Sequence, residues 1–228
     1  MFQTNPFLLI SLFIGLTLLP FVAMIATSYL KIVVVMSLIR NALGIQSIPP
    51  NMVVNALAMI LTFYIMAPVM NESWNIVKTE LDSKPQPVAA AAATPEMYLE
   101  TEAIAKAAEP FREFLSRHTS DRERAFFVNT AERLWGASPD EPAAVDSESF
   151  YILIPSFCVS ELTKAFQIGF LVYLPFIAID IIVSNILLAM GMMMVSPVTI
   201  SLPFKLLLFV MVNGWTLLVQ GLVRGYML

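Results

Sequence analysis

The stretch PSFCVSELTKAFQIGFLVYLPFIAIDIIVSNILLAMGMMMVSP, Pro155–Pro197, decides the fold. It sets Glu161, Lys164 and Asp180, with a cluster of methionines, inside an otherwise apolar run, and from Ala165 to Phe204 the sole charge is Asp180. About 20 apolar residues suffice to cross a bilayer core, so a run of this length predicts membrane-associated helix.

The rest of the chain agrees. Hydrophobic residues make up 58% of the 228 positions and charged residues 13%, with a mean hydropathy of +0.76. A soluble domain has about 45–50% apolar and about 25% charged residues, so the composition is that of an integral membrane protein. The net charge of -4, with no basic stripe, excludes a nucleic-acid partner. The one cysteine, Cys158, has no partner for an intramolecular disulfide and says nothing of redox compartment. Residues 1–30 hold no Lys or Arg. A cleavable signal peptide begins with a basic region, so the first hydrophobic segment is expected to stay attached.

Charge divides the chain into three. Glu72 to Glu148 carries 15 acidic and 8 basic residues, and the remaining charges are Lys31, Arg40, Glu161, Lys164, Asp180, Lys205 and Arg224. The expected plan is all-α: an N-terminal hydrophobic helical hairpin at 1–71, an acidic, helical, soluble insert at 72–149, and a C-terminal hydrophobic hairpin with a Met-rich turn at 150–228. In the first arm, Pro6 to Arg40 reads as helix that Pro20 starts or kinks. The connector GIQSIPPN, Gly44–Asn51, turns the chain, and Met52–Met70 supplies a second span of about 28 Å. Pro68 should weaken its last turn.

In the insert, KPQPVAAAAATP, Lys84–Pro95, is a proline-rich joint. Met97, Ile104, Ala108, Phe111 and Leu115 then recur at helical spacing, with Pro110 expected to interrupt. Ser120 and Glu123 form a capping-box pattern before a short helix bearing Phe127, Ala131 and Leu134, closed by Gly136, with the loop SPDEP after it. In the last arm Pro155, Pro175, Pro197 and Pro203 predict broken helices. VTIS, between the last two prolines, reads as a turn, and Leu206–Val223 as a final span. Arg40 and Lys205 flank the two short connectors, so the positive-inside rule puts those connectors in the cytoplasm and the acidic insert outside, with Arg224 opposing. LPFVAMI at Leu19–Ile25 and LPFIAID at Leu174–Asp180 suggest a duplicated hairpin.

Glu161 and Lys164 are three apart, neighbours on one helix face, and can pair to offset their burial. An unpaired acid at mid-bilayer costs about 2.5–3.5 kcal/mol. Asp180 must therefore face protein, a polar lumen, or a cation among Lys31, Lys164 and Lys205; it serves as a structural partner or as a proton carrier. Met190, Met192, Met193 and Met194 are unbranched and polarizable, able to deform around objects of varied shape and reseal; the alternative is apolar filler facing lipid. Gly214, Gly221 and Gly225 share a helix face, the last two in GxxxG spacing that permits close helix packing. His118 stands alone and reads as a surface residue without a metal site. NES at Asn71 is a chance glycosylation pattern, and neither a phosphate-binding loop nor a nucleophile with its base is present. No cofactor is expected.

Three blocks carry a resemblance: LKIVVVMSLIRNALGIQSIPPN at Leu30–Asn51, PSFCVSELTKAFQIGF at Pro155–Phe170, and LPFIAIDIIVSNILLAMGMMMVSP continuing to LPFKLLLF, Leu174–Phe209. They resemble the FliP/SctR family, the export-gate proteins of bacterial type III secretion systems. The order of ion-pair motif, PF…D helix and GMMM turn is specific, and the acidic insert carries none of it.

The resemblance implies a homo-oligomeric ring of five copies in the bacterial inner membrane, joined by S-type and T-type export proteins, through which unfolded substrates pass. It implies a methionine gasket at Met192, Met193 and Met194, and hairpins that sit largely above the membrane plane instead of as four spans. The missing signal peptide, RNALGIQSIPPN, and Ser196 in place of a second proline favour the injectisome branch over the flagellum. From another class, a small secondary transporter or proton channel using Asp180 stays open, whereas an intramembrane enzyme lacks paired catalytic groups.

Overall fold

The computed structural model describes residues 6–45, 49–82, 104–135 and 145–227, mostly helix with short connections and no strand among them. The helices are α1 (Pro6–Ile25), α2 (Tyr29–Ala42), α3 (Asn51–Asp82), α4 (Glu109–His118), α5 (Asp121–Trp135), α6 (Phe150–Ala189), α7 (Pro197–Met211) and α8 (Gly214–Arg224). The Lys84–Pro95 joint, Met97, Gly136, the SPDEP loop and the middle of the first connector lie outside the described residues. Among the described residues two helices, Asn51–Glu80 and Phe150–Ala189, are long and apolar enough to cross a membrane, and up to four spans result if each bent pair is one.

The chain divides into two compact units, Met1–Thr27 with Met66–Ser160, and Ser28–Ile65 with Glu161–Leu228. In the second unit α2 is the organising rod. Ile32, Val35, Met36 and Ile39 recur every three or four residues and are all buried, meeting Ala58, Ala165, Phe176, Phe209 and Leu222. Gly169 of α6 lies so close to α2 that a Cβ there would sit 2.3 Å from Leu38 Cδ1. Arg40, at the end of α2, ties the first connector by donating to the Pro49 carbonyl at 3.4 Å and to Asn51 Oδ1. In the first unit the core is Phe114, Leu115, Ala131, Ile152, Leu153 and Phe157, with the Phe114 and Phe157 rings 5.9 Å apart.

Several local expectations are corrected. α1 runs through Pro20 and ends at Ile25, where the Thr27 hydroxyl donates to the Ala23 carbonyl at 2.6 Å and competes with the helix ladder. α3 extends well past Met70 and through Pro68. The interruption expected at Pro110 falls just before it: residues 104–107 are helical, Ala108 is a turn, and Pro110 sits in the first turn of α4, where its missing N–H costs nothing. The Ser120 N–H, which a capping box would give to Glu123, donates to Ser160 Oγ at 2.9 Å. His118 is not at the surface: it is buried, edge-on to Phe114 at 4.7 Å.

The turn of the second hairpin lies at Met190–Ser196, and VTIS is inside α7. α6 stays helical through Pro155 and Pro175 for 40 residues, about 60 Å, because each proline deletes one backbone hydrogen bond and the neighbouring turns keep theirs. The final span is broken at Val212–Asn213, and α7 and α8 meet at 59°. Asn213 is left-handed, φ 51° and ψ 45°, a conformation that Asn tolerates better than other side chains with a Cβ. The Asn-Gly pair at 213–214 is a turn signal within an otherwise apolar run.

Candidate functional site

Two buried charge clusters and one methionine turn make up the site, all in the second unit. The first cluster centres on Glu161 of α6, whose side chain is 0% exposed. Its carboxylate accepts from Lys31 of α2 at 3.0 Å and from the half-exposed Lys164 one turn on at 3.1 Å. Tyr226, just past α8, donates its hydroxyl to Glu161, and its ring lies 3.5 Å from Lys31 Nζ. Burial and the Glu161 carboxylate both push the phenol's pKa up, so Tyr226 stays a neutral donor. A carboxylate out of water needs partners at its remaining lone pairs, and this one has three.

The second cluster joins α6 to α7. Asp180 accepts from Lys205 Nζ at 2.6 Å and from the Ser201 hydroxyl at 2.5 Å, while Lys205 also donates to the carbonyl of Ala42 at 3.2 Å. Of the three cations that could have met Asp180, the structure selects Lys205. Lys205 is itself buried and so is no connector cation of the kind the positive-inside reading needs.

Between these two halves of the hairpin stands the methionine turn. α6 closes in a Schellman motif: the Gly191 N–H donates to the Leu188 carbonyl at 3.0 Å and the Met192 N–H to the Leu187 carbonyl at 2.9 Å, with Gly191 at φ 74°. Ser196 is extended, as a residue before proline should be, and Pro197 opens α7. Along the turn Met190, Met192, Met193 and Met194 are 65%, 43%, 81% and 101% exposed among the described residues.

The expected glycine face is divided. A Cβ on Gly214 would lie 2.3 Å from the Phe209 ring, so its close approach is to the preceding helix; Gly221 faces open space, and Gly225 meets only backbone of its own last turn. Sequence reasoning missed Tyr226 and Ser201. Ser201 stands four residues before Lys205, one turn away on the same face, a signal available in the sequence. Tyr226 meets Glu161 across 65 positions, and no spacing rule reaches that far. Among the described residues no group of three His, Cys, Asp or Glu could hold a metal ion.

Buried ion pairs that tie α2 and α7 to the long apolar helix α6, with an exposed methionine-bearing turn, are the features of a helical membrane component. The FliP family profile matches residues 12–222, and the chain belongs to the FliP family. It is 50% identical over 218 residues to the Yop proteins translocation protein R of Yersinia pestis, covering 92% of each chain. It is 45% identical over 218 residues to the hypersensitivity response secretion protein HrcR of Ralstonia nicotianae, covering 96% of each. To the flagellar biosynthetic protein FliP of Bacillus subtilis it is 41% identical over 208 residues, 91% of this chain and 86% of that one. The higher identities lie on the secretion and translocation side, the injectisome SctR branch of the family.

Proposed function

We propose that this chain is a structural component of a type III secretion export apparatus in the bacterial inner membrane. It assembles with copies of itself, five by the family resemblance, and with S-type and T-type export proteins around a passage for unfolded proteins. Met192, Met193 and Met194, with Met190 beside them, constrict the closed passage. One observation carries the reading: four methionines stand on a rigidly capped turn and are exposed among the described residues, Met193 and Met194 almost wholly so. Copies arranged around an axis would bring those thioethers together as a compliant apolar plug that excludes ions and yields to a polypeptide. The buried charges fix helix geometry and take no part in chemistry. The three-part division at 71 and 149, with the acidic segment in the periplasm, belongs to the same proposal and rests on Arg40 at the first connector.

The test is ion conductance in membranes that contain the whole apparatus. Replacing Met192, Met193 and Met194 by Ala should raise ion leak while assembly persists; unchanged leak contradicts the constriction. The proton-channel reading predicts proton flux from the lone protein in liposomes, abolished by Asp180→Asn. Asp180 is already engaged by Lys205 and Ser201, which favours the structural role.

A further inference from the structure

The bend between α7 and α8 opens an apolar cavity of about 390 Å³ against α6. Its walls include Ile168, Val172 and Phe176 of α6, Phe209 of α7, and Leu217 and Gly221 of α8, and every residue lining it is apolar. An open pocket whose lining is almost wholly apolar suits apolar ligands, and the volume falls in the usual range of ligand sites, about 300–1,000 Å³. Much of the space exists because Gly221 has no side chain: a Cβ there meets nothing within 4 Å.

Arg224 does not line the cavity but lies one turn beyond Gly221, which does. It is exposed at the last position of α8, three residues after Gly221 and seven after Leu217, and therefore on the same helix face. It has no ion pair among the described residues. An unpaired guanidinium next to an apolar cavity, at the end of a bent helix pair with the length and composition of a membrane span, has two matched requirements: hydrocarbon inside and an anion at the rim. A guanidinium engages phosphate oxygens through two parallel hydrogen bonds.

We propose that this cavity holds an acyl chain of an anionic phospholipid whose phosphate is bound by Arg224. The charge at the rim selects lipid over the other apolar occupant, a side chain from a second copy, which would leave the guanidinium uncompensated. The inference needs only the chain in a bilayer and stands apart from the export reading.

The purified full chain, extracted in mild detergent, is to be incubated with phosphatidylglycerol or phosphatidylcholine and its bound lipid counted by native mass spectrometry. The wild type should retain phosphatidylglycerol in preference to phosphatidylcholine. Arg224→Gln should abolish that preference, and Gly221→Leu, which fills the cavity, should lower retention of both lipids about tenfold. Leu217→Trp fills the same space and serves if Gly221→Leu fails to fold. Absence of retained lipid on the wild type overturns the proposal, as does retention that the filling variants leave unchanged. A Gly221→Cys chain in a Cys158→Ser background that forms disulfide-linked dimers and retains no lipid assigns the cavity to a second copy and also overturns it.

Discussion

Asp180 and Lys205, 25 residues apart, meet at 2.6 Å across the hairpin that carries the methionine turn. Lys205 is almost wholly buried, whereas about a third of Asp180 is exposed. The pair therefore holds two helices in register at the base of the turn, and its second donor bond to the Ala42 carbonyl brings in the end of α2. Removing the cation leaves the Asp180 carboxylate with only the Ser201 hydroxyl and the Ala42 carbonyl without its lysine donor. Lys205→Met should lower stability by about 2–4 kcal/mol, less than a wholly buried pair because Asp180 retains some water. Adding Asp180→Asn should recover part of that loss. Thermal unfolding in detergent measures both, and a double mutant no better than the single contradicts the pairing.

Tyr226 makes two separable contacts, a hydroxyl bond to Glu161 and a ring face on Lys31. Tyr226→Phe should cost about 1.5–3 kcal/mol, the range for a hydrogen bond to a charged group. Tyr226→Ala should cost more, since it also removes the ring. Equal effects would show that the hydroxyl alone matters.

Gly191 holds φ 74° at the end of α6, where a Cβ is disfavoured by roughly 1–2 kcal/mol. The space around it is open, so the effect is conformational and not steric. Gly191→Val should therefore shift the methionine turn with small loss of fold stability. Ion leak through the assembled apparatus should rise while the melting temperature changes little, and a large drop in melting temperature would contradict this separation.

Gly169 and Gly221 make opposite predictions. A methyl group at Gly169 strikes Leu38, and Gly169→Ala should destabilise by about 1–3 kcal/mol, relieved by Leu38→Ala. Gly221→Ala meets nothing within 4 Å and should be neutral or slightly stabilising in the helix. Unfolding of the two variants side by side distinguishes them.

Helix content, the two longest apolar helices and the identity of the charged residues were legible in the sequence, because hydrophobic runs and isolated charges are properties of one segment at a time. Ile32, Val35, Met36 and Ile39 show the buried stripe of α2 directly. Helix ends were less legible. Pro20, Pro155 and Pro175 look like breakers yet lie within continuous helix, while the break that does occur, at Asn213, needed the Asn-Gly signal to outweigh the apolar run Leu206–Val212 before it and the uncharged run after it. Partner choice was not legible at all. Glu161 has Lys164 within one turn, but the deeply buried partner is Lys31, 130 residues earlier, and only the packing of α2 on α6 brings it to 3.0 Å. The methionine turn was legible as composition, and its exposure became visible only once the Schellman motif and Pro197 fixed its direction.

The most direct measurement is oxidative cross-linking of Met193→Cys in a Cys158→Ser background, with the chain in native membranes that contain the whole export apparatus. Methionines gathered around a common axis predict disulfide-linked pairs of this chain at position 193 and a block of ion leak when the link forms. A thiol that stays monomeric and reacts only with lipid-soluble reagents would place the methionines toward the bilayer and contradict the constriction.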